Sequence, residues 1–243
     1  MKKTTKMLAI LLAAMTALSG CGGSGTTTTQ TEGKTETTAA AEKTGTETAQ
    51  KGPKDEVVTM AVISSWDTLN IYNTSGNYGN AVADQLFERL VTRTHDGVIE
   101  PRLATEWQIA DDNKSMTFKL AENALWHDGE KLTANDIVFT CKAMTNPDVD
   151  NYYRSAFNVL AGTDDDGIAA DTDQVGVEAV DDYTVKFSFK EPKDQDTILN
   201  AFLSFLYVLP EHILDTGNYA DINNSSFWTS PVGAGPFKYV KDT

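Results

Sequence analysis

From residue 22 to residue 52 the chain carries only Gly, Ser, Thr, Ala, Glu, Lys and Gln, without one large apolar side chain. Ordering each backbone residue costs about 1–2 kcal/mol, and this stretch has nothing apolar to bury in return. It is therefore predicted to be a flexible tether, and any fold must come from residues 57–243. That body is long enough for one large or two small domains. It holds all 4 Trp, 8 Tyr and 10 Phe of the chain, ample material for a core or a binding cleft.

Charge narrows the partners. Asp and Glu number 35 against 20 Lys and Arg, a net −15, and three of the lysines (Lys2, Lys3, Lys6) precede the tether. A chain this acidic is not built to bind nucleic acid, whose phosphates require clustered Lys and Arg. The charge favours solubility and leaves the fold open.

Ahead of the tether, Lys2, Lys3 and Lys6 form a basic region and residues 7–18 (MLAILLAAMTAL) an apolar run. The run is shorter than the roughly 20 residues needed to span a bilayer and reads as a secretory signal. Leu18-Ser19-Gly20-Cys21 then resembles the lipobox of bacterial lipoproteins, in which the cysteine after the cleavage point receives a diacylglycerol. The expected organisation is a signal peptide over 1–20, a lipidated tether over 21–56 and a globular body over 57–243. With Cys21 acylated, Cys141 remains as a buried free thiol, and no intramolecular disulfide forms.

Along the body, residues 57–62 (VVTMAV) read as a first strand. A loop rich in Trp, Tyr and Asn spans 64–79. Residues 80–93 read as a helix, with Val82, Leu86 and Leu90 four apart. His95-Asp96-Gly97 is a turn, 104–109 a strand, Asp111-Asp112-Asn113 an Asx-type hairpin turn and 115–120 an alternating, half-buried strand. Thr133 opens a helix with Asp136 in capping-box position; Ile137, Cys141 and Met144 share its buried face and Asn146-Pro147 ends it. Residues 151–160 suggest a short helix, 162–174 an acidic loop and 175–189 a hairpin turning at Asp181-Asp182. Residues 197–207 form an apolar helical run, Pro210 starts a short helix, and a Pro/Gly loop over 231–236 leads into a final strand.

Several of these phrases, in order, resemble the peptide- and nickel-binding extracellular solute-binding proteins of ABC importers, family 5. They include Leu103-Ala104-Thr105-Glu106-Trp107, Trp126-His127-Asp128-Gly129, Leu132-Thr133-Ala134-Asn135-Asp136, Leu209-Pro210-Glu211-His212 and Pro231-Val232-Gly233-Ala234-Gly235-Pro236-Phe237. The resemblance runs from about residue 57 to 243. It implies an α/β (mixed α+β) fold of the periplasmic-binding-protein-like type II. Family members are longer, so the expectation is a first lobe with its small extra domain and a second lobe largely missing. It further implies a non-catalytic, monomeric component that captures oligopeptides and hands them to separate ABC permease and ATPase subunits. It would need no cofactor and would sit at the extracellular face of the cell membrane, or in a periplasm, through its lipid. Nickel, a sugar or a signalling peptide remain alternative solutes, and a structural surface lipoprotein is the alternative of another class.

Chemistry-bearing residues fit binding better than catalysis. No G-x-S-x-G or H-E-x-x-H occurs, which weighs against a secreted hydrolase. His95, His127 and His212 show no zinc spacing, and the resemblance places His127-Asp128 in a structural turn. Asp164, Asp165, Asp166, Asp171 and Asp173 do not fall at EF-hand positions and read as a solvated loop. Ligands of open α/β sheets sit beyond the carboxyl ends of strands. The ligand candidates are accordingly Trp66, Asn70, Tyr72, Asn77 and Tyr78 in the loop after the first strand. Their rings can pack peptide side chains while hydroxyls and amides bond its backbone; a core role for Trp66 and Tyr72 is the competing reading.

Overall fold

The computed structural model describes residues 68–74 and 76–240. The expected signal, tether, first strand and Trp66 lie outside these residues.

Helix α1 (Asn77–Leu86) is followed by a small hairpin, β1 (Val91–Arg93) and β2 (Ile99–Pro101), paired Val91 to Pro101. Gly97, at φ 83°, makes its turn, a conformation that costs a glycine little. The expected helix over 80–93 is thus shorter than its spacing suggests. Leu86 and Leu90 are both buried, but Phe87 is already extended, at φ −104°, ψ 154°. The amides of Gly235 and Phe237 occupy the carbonyls of Leu86 and Gln85 at 2.9 and 3.0 Å, which ends the helix there.

The main sheet is antiparallel, in the order β3-β4-β6-β5, built from Ala104–Ile109, Ser115–Leu120, Thr184–Ser188 and Val177–Asp181. Asp112 Oδ1 accepts from the Lys114 amide (2.9 Å) and Asp181 Oδ1 from the Tyr183 amide (2.9 Å), the two Asx turns that close its hairpins. One face is apolar: Met116, Phe118, Val185 and Phe187 are fully buried. On the other, Glu106 lies opposite Lys119 and Lys186 pairs with Glu178 at 2.9 Å.

Helix α2 (Ala134–Thr145) covers the apolar face, bringing Ile137, Cys141 and Met144 into the core. Asp136 Oδ2 accepts from the Thr133 amide at 2.8 Å, fixing the start of the helix. A 3-10 segment (Arg154–Val159) stands where a short helix was expected. The apolar run after it is irregular: a turn of α-helix, α3 (Gln195–Thr197), a π turn (Ile198–Phe202) and a 3-10 turn (Leu203–Phe205). Residues 206–210 then run extended, with the Val208 amide on the Glu88 carbonyl (3.0 Å) and the Leu209 amide on Thr140 Oγ1 (2.9 Å). Helix α4 (Glu211–Leu214) begins directly after Pro210. No strand forms over 236–240, contrary to the sequence expectation; Phe237 and Val240 point outward, 54% and 79% exposed.

Edge-on aromatic contacts lead from the sheet towards the 68–78 loop. Phe118 meets Phe187 (5.7 Å between centroids), Phe187 meets Phe202 (5.4 Å) and Phe202 meets Phe157 (5.5 Å). Phe157 then meets Tyr72 at 6.4 Å. The loop thereby rests on the core through close-packed rings in favoured geometry.

Candidate ligand-binding site

The loop ahead of α1 stitches itself into a turn. Asn70 Oδ1 accepts from the Tyr72 amide (3.0 Å), and the Asn70 carbonyl accepts from Asn73 and Thr74 (3.0 and 2.9 Å). That turn directs Tyr72 inward, where it is 1% exposed and its hydroxyl donates to the Tyr207 carbonyl at 2.7 Å. Burial, aided by neighbouring Cys141, pushes the Tyr72 phenol well above its ordinary pKa. Asn70 is buried as well.

Asn77 and Tyr78 occupy the first turn of α1, Asn77 exposed and Tyr78 half-buried. Two residues absent from the sequence-based set bond the loop and α1. Tyr152 donates its amide to the Tyr72 carbonyl (2.9 Å) and leaves its ring 68% exposed. Tyr153 stacks on Phe205 (centroids 5.0 Å, planes 22° apart) and donates its hydroxyl to Asn80 Oδ1 at 3.0 Å. The Tyr-Tyr pair was visible in sequence, but its position beside Tyr72 depends on a backbone bond between distant segments.

The neighbouring face of α1 is polar. Tyr207 donates its hydroxyl to Asp84 Oδ1 (2.6 Å), Arg89 pairs with the same oxygen (3.1 Å), and the Arg89 guanidinium lies 4.8 Å from the centre of the Tyr207 ring. Burial drives the Tyr207 phenol upward, Arg89 opposes this, and Asp84 adds to it. What this region leaves to a ligand is the Asn77 amide, part of Tyr78 and the exposed Tyr152 ring, groups that can bond a ligand's backbone and pack its side chains.

The Trp126-His127-Asp128-Gly129 phrase does a different job. Trp126 is buried, and the His127 ring and backbone bond residues 233 and 235. Asp128 Oδ2 meets His212 Nε2 at 2.9 Å. Partial burial works against the Asp128 charge, but the His212 bond and the Glu130 amide outweigh it and hold the carboxyl below its usual range. Asp136 shows the reverse. Burial pushes its carboxyl up, despite bonds from the amides of Thr133 and Glu211. In the acidic loop, Asp164 Oδ1 accepts from the amides of Asp166 and Ile168 (3.0 and 2.8 Å), an ordinary turn. Among the described residues, no group of His, Cys, Asp and Glu is arranged to hold a metal ion.

Residues 98–243 match the family described as bacterial extracellular solute-binding proteins, family 5 Middle. The periplasmic murein peptide-binding protein MppA of Escherichia coli is 33% identical over 164 residues, 64% of this chain and 28% of MppA. The di/tripeptide-binding protein 1 of Pseudomonas aeruginosa is 30% identical over 183 residues, 70% of this chain and 32% of that one. Among solved structures, Haemophilus influenzae OppA in complex with RPPGFSPFR superposes with a TM-score of 0.61 at 26% identity, covering 72% of this chain and 34% of OppA. NikZ of Campylobacter jejuni in complex with Ni(L-His) superposes with a TM-score of 0.60 at 26% identity, covering 74% and 32%. The chain spans about a third of the length of these relatives. The mixed α/β fold is that of type II periplasmic binding proteins, and this chain belongs to the bacterial extracellular solute-binding proteins of family 5.

Proposed function

We propose that the chain supplies the first lobe of an oligopeptide-capturing, substrate-binding component of an ABC importer. It works as a monomer with separate permease and ATPase chains. The observation that carries the peptide reading is an exposed Asn77 and half-buried Tyr78 at the start of α1, with an exposed Tyr152 ring whose amide bonds the anchored loop at Tyr72. Asn70 and Tyr72 shape that loop, and Trp66 is kept in the proposed ligand set from its place in the sequence. Contacts from two lobes favour a closed state that the permease reads, since a ligand shifts such an equilibrium by its differential affinity. The peptide-binding relatives support this choice of solute.

In this reading residues 1–20 are a signal peptide, Cys21 carries the lipid, and 21–56 tether the body (57–243) to the extracellular face of the membrane. The short apolar run and Leu18-Ser19-Gly20-Cys21 support it. Labelling with a radioactive fatty acid checks the anchor. The label should enter the wild-type chain and not Cys21→Ala.

Thermal unfolding of the full chain, with and without a mixed tri- to pentapeptide library, tests the solute. A ligand that binds only the native state raises the midpoint, by about 2.7 kcal/mol of stability at a hundred times its Kd. A rise with peptides supports the proposal. A rise only with nickel–histidine or sugars overturns the peptide, and no rise with any solute in a protein that carries both lobes favours a structural lipoprotein.

A further inference from the structure

His127 is tied to one segment through both its backbone and its ring. Its amide donates to the Gly233 carbonyl at 2.8 Å. Ring Nε2 lies 2.8 Å from the Gly235 carbonyl, and the Gly233 amide reaches ring Nδ1 at 3.3 Å. A carbonyl only accepts and an amide N–H only donates. The ring must therefore carry its hydrogen on Nε2 and present a bare lone pair at Nδ1. Neither the other tautomer nor the imidazolium satisfies both partners. The segment so held caps α1, because Gly235 and Phe237 donate to the carbonyls of Leu86 and Gln85.

We propose that His127 is a proton-operated latch. A proton added at Nδ1 replaces the acceptor with a donor facing the Gly233 N–H. That bond breaks, and Gly233 loosens from the 126–129 turn, while the Nε2–H bond still holds the Gly235 carbonyl. The charged groups around the ring are few. On its own turn Asp128 is occupied by His212, and Glu130 is exposed. On the held segment Lys238 Nζ donates to the His127 carbonyl at 3.1 Å. Glu211 and His212 lie on α4, Asp136 on α2, and the α1 residues that meet the segment, Gln85 and Leu86, are uncharged.

Long-range imidazole ¹H–¹⁵N spectra of the full chain, combined with amide exchange across a pH titration, test the latch. At neutral pH the His127 ring should show the Nε2–H tautomer. As that ring titrates, protection of the Gly233 amide should fall about tenfold relative to β4 and β6, in keeping with the loss of one net hydrogen bond. His127→Gln does not titrate and should show no such step. A different tautomer at neutral pH, unchanged protection through the ring titration, or the same step in His127→Gln would each overturn the proposal. Should the variant fail to fold, the two wild-type measurements decide.

Discussion

The hydroxyl of Tyr72 donates to the carbonyl of Tyr207 across 2.7 Å, joining the loop ahead of α1 to the extended segment before α4. Both residues are buried, and their rings meet edge-on with centroids 6.5 Å apart. Tyr72→Phe keeps the ring and removes only the donor, leaving a buried carbonyl without it. The expected cost is about 1–2 kcal/mol, the range for a net hydrogen bond plus an unsatisfied acceptor. In urea unfolding the midpoint should fall with the slope unchanged; a wild-type midpoint would mean that the bond contributes nothing to stability.

Cys141 lies on the buried face of α2, and burial alone pushes its thiol far above the ordinary range. The reactive species is the thiolate. At pH 8 the native chain should therefore leave Cys141 unmodified by a disulfide reagent for hours, and denaturant should expose it within minutes. Peptide mapping separates it from Cys21. Rapid native modification of Cys141 would show that α2 opens locally far more often than the close packing implies.

Asp128 has a folded-state pKa below that of the unfolded chain. Its contribution to stability is present above the ordinary carboxylate range and is lost as pH falls through the lowered folded value. Its side chain is about one-third exposed, so solvent screening limits the pair with His212 to under about 1 kcal/mol. Asp128→Asn should be slightly less stable than wild type at pH 6 and indistinguishable from it once both are well below the carboxylate range. A constant gap across pH would locate the effect in the Asn side chain instead of the charge.

Gly233 sits where a Cβ would collide with the Leu86 carbonyl, and at Gly235 it would lie 2.6 Å from the Gln85 carbonyl. These obstacles are backbone atoms at the end of a helix and yield little. Gly233→Ala should cost about 1–3 kcal/mol, the usual range for overpacking, read as a lowered unfolding midpoint. An unchanged midpoint would mean that residues 231–237 do not cap α1 in solution.

Strands β3 and β4 were legible residue for residue, because period-two alternation, the Asp112 turn and a buried apolar face all coincide. The start of α2 was equally clear from Thr133 and Asp136. The end of α1 was not. Leu86 and Leu90, four apart, suit one helix face, yet the same burial is met by a helix that stops and a strand that starts. What stops it are amides from residues 235 and 237, far along the chain, and no local pattern carries that information. The site divides the same way. The Asn70 turn is local and belongs to the loop singled out from sequence, whereas Tyr152 arrives by a tertiary bond to Tyr72.

Tyr152 separates a ligand role from a structural one. Its ring is 68% exposed and the stabilising bond to Tyr72 uses its backbone amide, so Tyr152→Ala should leave the unfolding midpoint within about 0.5 kcal/mol of wild type, as exposed substitutions usually do. If the surface beside α1 receives peptide, losing an aromatic contact should weaken binding by about tenfold, the order found for a well-packed contact at an interface. Tyr72→Phe should do the reverse, lowering stability while leaving the exposed surface intact. Titration calorimetry with a peptide drawn from the library, run on both variants beside wild type, gives the comparison. Equal affinity for wild type and Tyr152→Ala would move the ligand surface away from Tyr152, even if peptide capture itself holds.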